Sequence, residues 1–298
     1  MSRSSISIPS LTPGWNIDAW SFVPEGTAGP HPVIIMAHGL GGTKLMGLAA
    51  YAEQFSAAGY ACIVFDYRRW GRSDGTRRNS VYISEQLDDY RSVVEYARLQ
   101  TEYDPQRVIL WGFSASGGHV LALASEPSLN VAAGMALNAF CGLHPPKPRL
   151  NWWLIKHLAF GFMDLFSNLL DLEPLYIRLV QPPGKLALFT DPGACEGYYS
   201  ITEDPSDFPN QIAASFVLRA MNNQPARDIH RIKRPLLLVA AQNDGICPPS
   251  QIVDTSRIIP TAELIEVPGD HFDIFRGNSD WERSIESQLA FLTKHFPL

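Results

Sequence analysis

Val108-Ile109-Leu110-Trp111-Gly112-Phe113-Ser114-Ala115-Ser116-Gly117-Gly118 is the stretch whose reading decides the fold. The apolar run Val108 to Trp111 has strand character, and Ser116 to Ser125 has helix character. Strand, sharp turn, serine and helix in succession are the context of a nucleophile elbow. The tight turn lifts the Ser114 hydroxyl clear of the sheet edge. The helix start behind it offers free backbone N–H groups and a dipole that favours developing negative charge. The stretch departs from G-x-S-x-G once, because Ser116 stands at the last glycine. That position needs a small residue for close helix–strand packing. Serine is only slightly larger than glycine, and Gly117 and Gly118 relieve the crowding. In the competing register Ser116 is the nucleophile, flanked by Ser114 and Gly118. It loses the first glycine and moves the hydroxyl into the helix. Ser114 is therefore preferred, both to Ser116 and to a Ser/Gly turn without chemistry.

The same grammar extends outward in both directions. Ile17 to Val23 reads as an edge strand, and Pro24 to Pro32 as a turn region. The short apolar run Val33 to Ala37 suits a strand buried on both faces of a parallel sheet. Lys44 to Ala58 reads as a helix closed by Gly59, and Ala61 to Phe65 as a strand. Val81 to Gln100 has helical spacing at Ile83, Leu87, Tyr90, Val94, Ala97 and Leu99. Val131 to Leu137, Pro235 to Ala240 and Glu263 to Val267 are further strands, and a last helix runs from Trp281 to His295. Strands alternating with helices predict an α/β fold, with a mostly parallel sheet covered on both faces. The alternation breaks between Cys141 and Arg227, a segment rich in aromatic and apolar residues at helical spacing. The expected organisation is a core of residues 1–140 and 228–298 with a helical lid at 141–227.

A serine hydroxyl is a poor nucleophile without a base. Of the eight histidines, His31 lies in a Pro-rich turn and His295 near the C-terminus, while His119 lies one turn into the helix after the elbow. His144, His157 and His230 lie in or beside the insertion. His271 follows a late strand, in Val267-Pro268-Gly269-Asp270-His271-Phe272. A loop at the C-terminal end of a parallel strand faces the same edge as the elbow, so His271 is the candidate base. The base needs an acid to fix its tautomer and stabilise the imidazolium. Asp244 follows another strand, in Gln242-Asn243-Asp244-Gly245, and gives the chain order Ser114, Asp244, His271. Asp270 and Asp273 flank the histidine and are its rivals. The oxyanion donors are the N–H of Ala115, directly after the serine, and one from His38-Gly39-Leu40-Gly41-Gly42. Leu40 is favoured there, because Gly39 lets the chain turn its next N–H inward. The charged loop Asp66-Tyr67-Arg68-Arg69-Trp70-Gly71-Arg72-Ser73 invites a substrate-binding reading. A structural loop held by an Asp–Arg network is preferred. Trp152, Trp153, Phe160, Phe162, Phe166 and Tyr198 could line an acyl pocket, but singly each is read as lid core rather than ligand contact, and none is assigned a binding role.

Composition bounds the rest. A chain of 298 residues suits one large domain or one domain with an inserted subdomain. With 46% hydrophobic and 18% charged residues it is neither disordered nor collagen-like. The charge, 24 basic against 30 acidic residues, is −6, and without a dense Lys/Arg run nucleic acid is not an expected partner. Cys62, Cys141, Cys195 and Cys247 form no C-x-x-C pair, which argues against structural zinc and for a reducing compartment. Met1 to Gly14 has no apolar core of a secretory signal, so the expected location is cytoplasmic. Trp152 to Val180 is interrupted by Lys156, Asp164, Asp171 and Glu173, and no membrane span is expected. Exposed apolar residues in the insertion would favour a homodimer.

With these residues in hand, the chain resembles the α/β-hydrolase superfamily over nearly its whole length, with Cys141–Arg227 where such enzymes carry a lid. The elbow Trp111 to His119 is similar to a subgroup with serine in place of the last elbow glycine. Gly269-Asp270-His271-Phe272-Asp273 resembles that subgroup's histidine loop. The subgroup includes bacterial esterases loosely related to dienelactone hydrolases, and fungal hydrolases and acyltransferases of polyketide clusters. The resemblance implies an acyl-enzyme mechanism on small esters or thioesters, with no metal or organic cofactor required. Dehalogenases and epoxide hydrolases need a carboxylate at the elbow, and dienelactone hydrolase proper has cysteine, so this chain departs from all three. Transfer of the acyl group to an alcohol or amine, peptidase or C–C bond cleavage, and a non-catalytic binding protein remain alternatives.

Overall fold

The computed structural model describes residues 2–26, 28–143, 151–221 and 223–298. His144 therefore lies outside the described residues. The chain opens with β1 (Ser2–Pro9), β2 (Asn16–Val23), β3 (His31–Ala37), α1 (Leu48–Ala57), β4 (Ala61–Phe65) and α2 (Ile83–Leu99). It continues through β5 (Tyr103–Phe113), α3 (Ala115–Ala124), β6 (Ala133–Leu137) and α4 (Trp152–Leu169). Then come β7 (Tyr176–Val180), β8 (Ala187–Phe189), α5 (Ala194–Ser200), β9 (Ile212–Ala213) and α6 (Phe216–Ala220). It closes with β10 (Leu236–Ala241), α7 (Pro249–Ile258), β11 (Ala262–Val267) and α8 (Trp281–His295).

Eight strands form one sheet in the order β1-β2-β4-β3-β5-β6-β10-β11. β1 and β2 pair antiparallel, β2 pairs antiparallel with β4, and every later pairing is parallel. The continuous apolar runs predicted as central strands are the residues helices cover on both faces. Every residue of β3, β4, β6 and β10 is buried. Of the periodic apolar positions read in α2, Leu99 is left exposed. Parallel strands all point their C-terminal ends the same way, so the loops after β3, β5, β6, β10 and β11 share one edge. Ser114, Asp244 and His271 all lie in that set of loops.

Three expectations need correction. Ile17–Val23 is not the edge strand, because Ser2–Pro9 pairs outside it from Ser2↔Val23 to Pro9↔Asn16. In that stretch serines outnumber the apolar residues, and Ile6 and Ile8 alone supply the period of two that marks a strand. The helix read from Lys44 begins at Leu48. Before it, Lys44 donates both its backbone N–H (2.7 Å) and its ammonium (2.6 Å) to Asp66, which holds that residue in a loop. The insertion is not wholly helical: β7, β8 and β9 form a small sheet of their own, in the order β8-β7-β9. Tyr176-Ile-Arg-Leu-Val180 has the aromatic and β-branched composition that favours strands, and the aromatic content of the whole segment masks it. Among the described residues no helix is long and apolar enough to cross a membrane.

Candidate active site

The site is built on the turn from β5 into α3. Ser114 sits at φ 58°, ψ −119°, a conformation that costs a non-glycine residue free energy and persists only where its surroundings fix it. Three backbone hydrogen bonds do so. The Ser114 N–H donates to the Leu137 carbonyl (2.8 Å), and its carbonyl accepts from Phe140 (3.0 Å) and Gly118 (3.2 Å). Two neighbouring positions have no room for a side chain. A Cβ on Gly112 would collide with the Ser116 carbonyl, and one on Gly39 would lie 2.8 Å from the Ser114 Cβ.

Ser116, the rival serine, is fully buried and its hydroxyl is occupied. It donates to the His38 carbonyl and accepts from the Tyr67 hydroxyl at 2.5 Å. The residue that departs from the elbow pattern thus ties α3 to the loop after β3. That loop is pinned at three successive carbonyls. Ser116 holds that of His38, the Gly42 N–H that of Gly39 (3.2 Å), and the Tyr198 hydroxyl that of Leu40 (2.8 Å). Among the described residues neither the Leu40 N–H nor the Ala115 N–H has an acceptor within the chain.

His271 and Asp244 are brought together. His271 Nδ1 and Asp244 Oδ2 are 2.6 Å apart, and both side chains are buried. The other carboxylate oxygen of Asp244 accepts the N–H groups of Ile246 (2.8 Å) and Cys247 (2.7 Å), so the carboxylate cannot swing away. The rival carboxylates are engaged elsewhere. Asp270 accepts from the backbone of His271 (2.7 Å) and Gly245 (3.2 Å), and Asp273 from the N–H of Asp270 (2.8 Å). The Ser114 hydroxyl lies 3.9 Å from Cys247 Sγ, and among the described residues no hydrogen bond joins it to His271. Such links commonly tighten only once substrate is bound.

Sequence reasoning missed Asn138, which is fully buried at φ 43° just past β6. Its amide donates to the His271 carbonyl (2.9 Å), and its amide oxygen accepts the Ala241 N–H (2.9 Å). It therefore fastens the histidine loop to the ends of two central strands. A short polar residue directly after an apolar strand was its signal in the sequence. The charges of the loop after β4 are tied to neighbouring groups. Asp66 accepts from Lys44 and from the Arg72 N–H (3.0 Å), while Arg68 is paired with Asp89 and Arg69 with Glu85.

A cavity of about 180 Å3 opens beside Ser114, walled by Leu40, Ile83, Phe140, Phe189, Phe216 and Ile246, with Gln86 as a polar member. None of the six aromatic residues singled out in the insertion lines it. Trp152, Phe162 and Phe166 face solvent, and Tyr198 is buried behind Leu40. The wall instead takes Leu188, Phe189 and Phe216 from β8 and α6.

His38 and His119 are both buried, and burial lowers each imidazole to about 4. Their ordinary value is near 6.5. Between these values the unfolded chain binds a proton that the folded chain refuses. Each histidine's contribution is thus intact above about pH 6.5 and is lost as the pH falls towards 4, by about 1.4 kcal/mol per pH unit. His119→Gln, measured by urea unfolding from pH 7.5 to 4.5, is expected to lose stability less steeply than the parent by that amount. Parallel curves would contradict this.

The family model described as alpha/beta hydrolase fold matches residues 32–277. The quorum-quenching protein AidA of Acinetobacter baumannii is 36% identical over 268 residues, covering 90% of this chain and 88% of that protein. A polyketide transferase of Stachybotrys chlorohalonatus is 24% identical over 305 residues, covering 99% and 98%. Among solved structures, the alpha/beta hydrolase GrgF from Penicillium sp. sh18 is similar with a TM-score of 0.85 at 23% identity, covering 100% of each chain. An eight-stranded, mostly parallel sheet, a strained serine between strand and helix, and a family model covering most of the length agree. The chain belongs to the alpha/beta hydrolase fold family.

Proposed function

We propose that this protein is a serine hydrolase that cleaves carboxylic ester or thioester bonds of small molecules through an acyl-enzyme on Ser114. The observation that carries the reading is the buried His271–Asp244 pair at 2.6 Å, on the same sheet edge as a serine held at φ 58°. The Ser114 hydroxyl turns from Cys247 to His271 Nε2, which takes its proton as the oxygen attacks the carbonyl. Asp244 keeps the Nδ1 proton in place and stabilises the imidazolium. The N–H groups of Leu40 and Ala115 receive the oxyanion. His271 then protonates the leaving group, and water attacks the acyl-enzyme by the reverse path.

In this reading residues 1–140 and 228–298 form the hydrolase core and 141–227 a lid. The location of Leu188, Phe189 and Phe216 in the cavity wall supports that division. Four free cysteines suit a reducing compartment, and a cytoplasmic homodimer belongs to the same proposal. A second reading, acyl transfer to an alcohol or amine, is favoured by the similarity to a polyketide transferase and by the apolar cavity. The test is a product assay on short-chain aryl esters and thioesters, with and without candidate acceptors. Free acid in every case supports hydrolysis. Acceptor-dependent ester or amide at the expense of acid supports transfer, and no turnover of any acyl substrate overturns both.

A further inference from the structure

Helix α4 is built the wrong way round for a free surface. Its buried positions are His157, Gly161, Asp164 and Ser167, a stripe of small and polar residues. Its outward positions are Trp152, Ile155, Ala159, Phe162, Phe166 and Leu169. Ordinary surface helices show the reverse, with the apolar stripe facing the core. The orientation is fixed rather than incidental. Asp164 accepts the N–H groups of Leu175 (2.9 Å) and Ser215 (3.0 Å) and an Arg77 guanidinium N–H (2.8 Å), and Ser167 donates to the Glu173 carbonyl (2.6 Å). Trp152, Phe162, Phe166 and Leu169 are left 69%, 61%, 62% and 76% exposed.

We propose that this face of α4 is the interface between two copies of the chain, paired antiparallel about a two-fold axis. The inference rests on the homodimer of the preceding reading and names its surface. Three features select a second copy as the occupant. The outward residues alternate three and four apart from 152 to 169, the spacing of a helix-pairing seam. With Met163, Leu165 and Leu170 beside them, they expose on the order of 1,000 Å2 of apolar side chain, against about 800 Å2 per partner in a standard interface. Within α4 one lysine, Lys156, flanks the seam. In an antiparallel pair centred on residue 161 the two lysines stand about 15 Å apart along the axis, so they do not oppose each other. A lipid surface fits less well, because interfacial helices carry several cations and this chain has a net charge of −6.

The experiment is sedimentation velocity on the full chain and on a Phe162→Glu/Phe166→Glu double variant, at concentrations up to tens of micromolar. Circular dichroism and melting temperature serve as fold controls, and Trp152→Lys/Leu169→Lys is a second disruption should the first variant misfold. The expected parent species is about 66 kDa, twice the 33.1 kDa chain, and the folded variants are expected at the mass of one chain. A parent dimer that persists in both variants overturns the surface and leaves the homodimer standing. A parent that sediments as one chain overturns both, and its co-flotation with phosphatidylcholine vesicles would assign the face to lipid instead.

Discussion

Ser114→Ala is expected to lower kcat/KM on an ester substrate by roughly 10^4- to 10^6-fold, which is what removal of the nucleophile costs when oxyanion donors and binding survive. The size of the effect follows from chemistry alone. An alanine has the same Cβ, and the bonds that hold the elbow all use backbone atoms. The N–H to Leu137 and the carbonyl contacts from Gly118 and Phe140 remain. Among the described residues the lost hydroxyl has only a long contact to Cys247 Sγ, at 3.9 Å. The melting temperature should therefore move little. A variant that keeps a tenth of parent activity would exclude Ser114 as nucleophile, and Ser116, locked between His38 and Tyr67, could not replace it without rearrangement.

Asp244→Asn is expected to cost about 10^4-fold in kcat while leaving KM nearly unchanged. The amide oxygen can keep the two N–H groups of Ile246 and Cys247, so the loop after β10 stays formed. The amide nitrogen then faces His271 Nδ1, where the carboxylate stood. A donor there forces the proton onto Nε2, and the imidazole can no longer accept the serine proton. The comparison is steady-state kinetics of this variant against Asp270→Asn and Asp273→Asn. These two change groups that bond to loop backbone, not to the His271 ring. A larger loss in either of them than in Asp244→Asn would reassign the acid.

Much of this architecture was legible because it is local. The apolar runs of β3, β4, β5, β6 and β10 are short, unbroken and spaced by helical sequence, and a parallel sheet follows from that pattern. The serine turn, the Asp244 turn and the His271 loop each follow a readable strand, and parallel topology brings strand ends to one edge. What the sequence hid depends on contacts between distant segments. Tyr198 reaches the Leu40 carbonyl across 158 positions, and Ser116 reaches the His38 carbonyl across 78. Nothing near either residue announces its partner. The cavity wall went unassigned for a related reason. Trp152, Phe162 and Phe166 are the most conspicuous aromatics of the insertion, yet α4 turns them outward because Asp164 anchors its other face. The wall falls to Phe189 and Phe216, in short elements whose hydrophobicity is unremarkable in the sequence. β1 escaped because a strand at the sheet edge, packed on one face only, needs few apolar residues to mark it.

In the proposed mechanism the geometry around Ser114 activates that hydroxyl. The most direct measurement is peptide mapping by mass spectrometry after incubating the folded protein with a fluorophosphonate, beside His271→Ala treated alike. One adduct per chain is expected, on Ser114, forming at least about a hundredfold more slowly in the variant. An adduct on Ser116, equal labelling of the two proteins, or an unlabelled parent that stays folded throughout would contradict it.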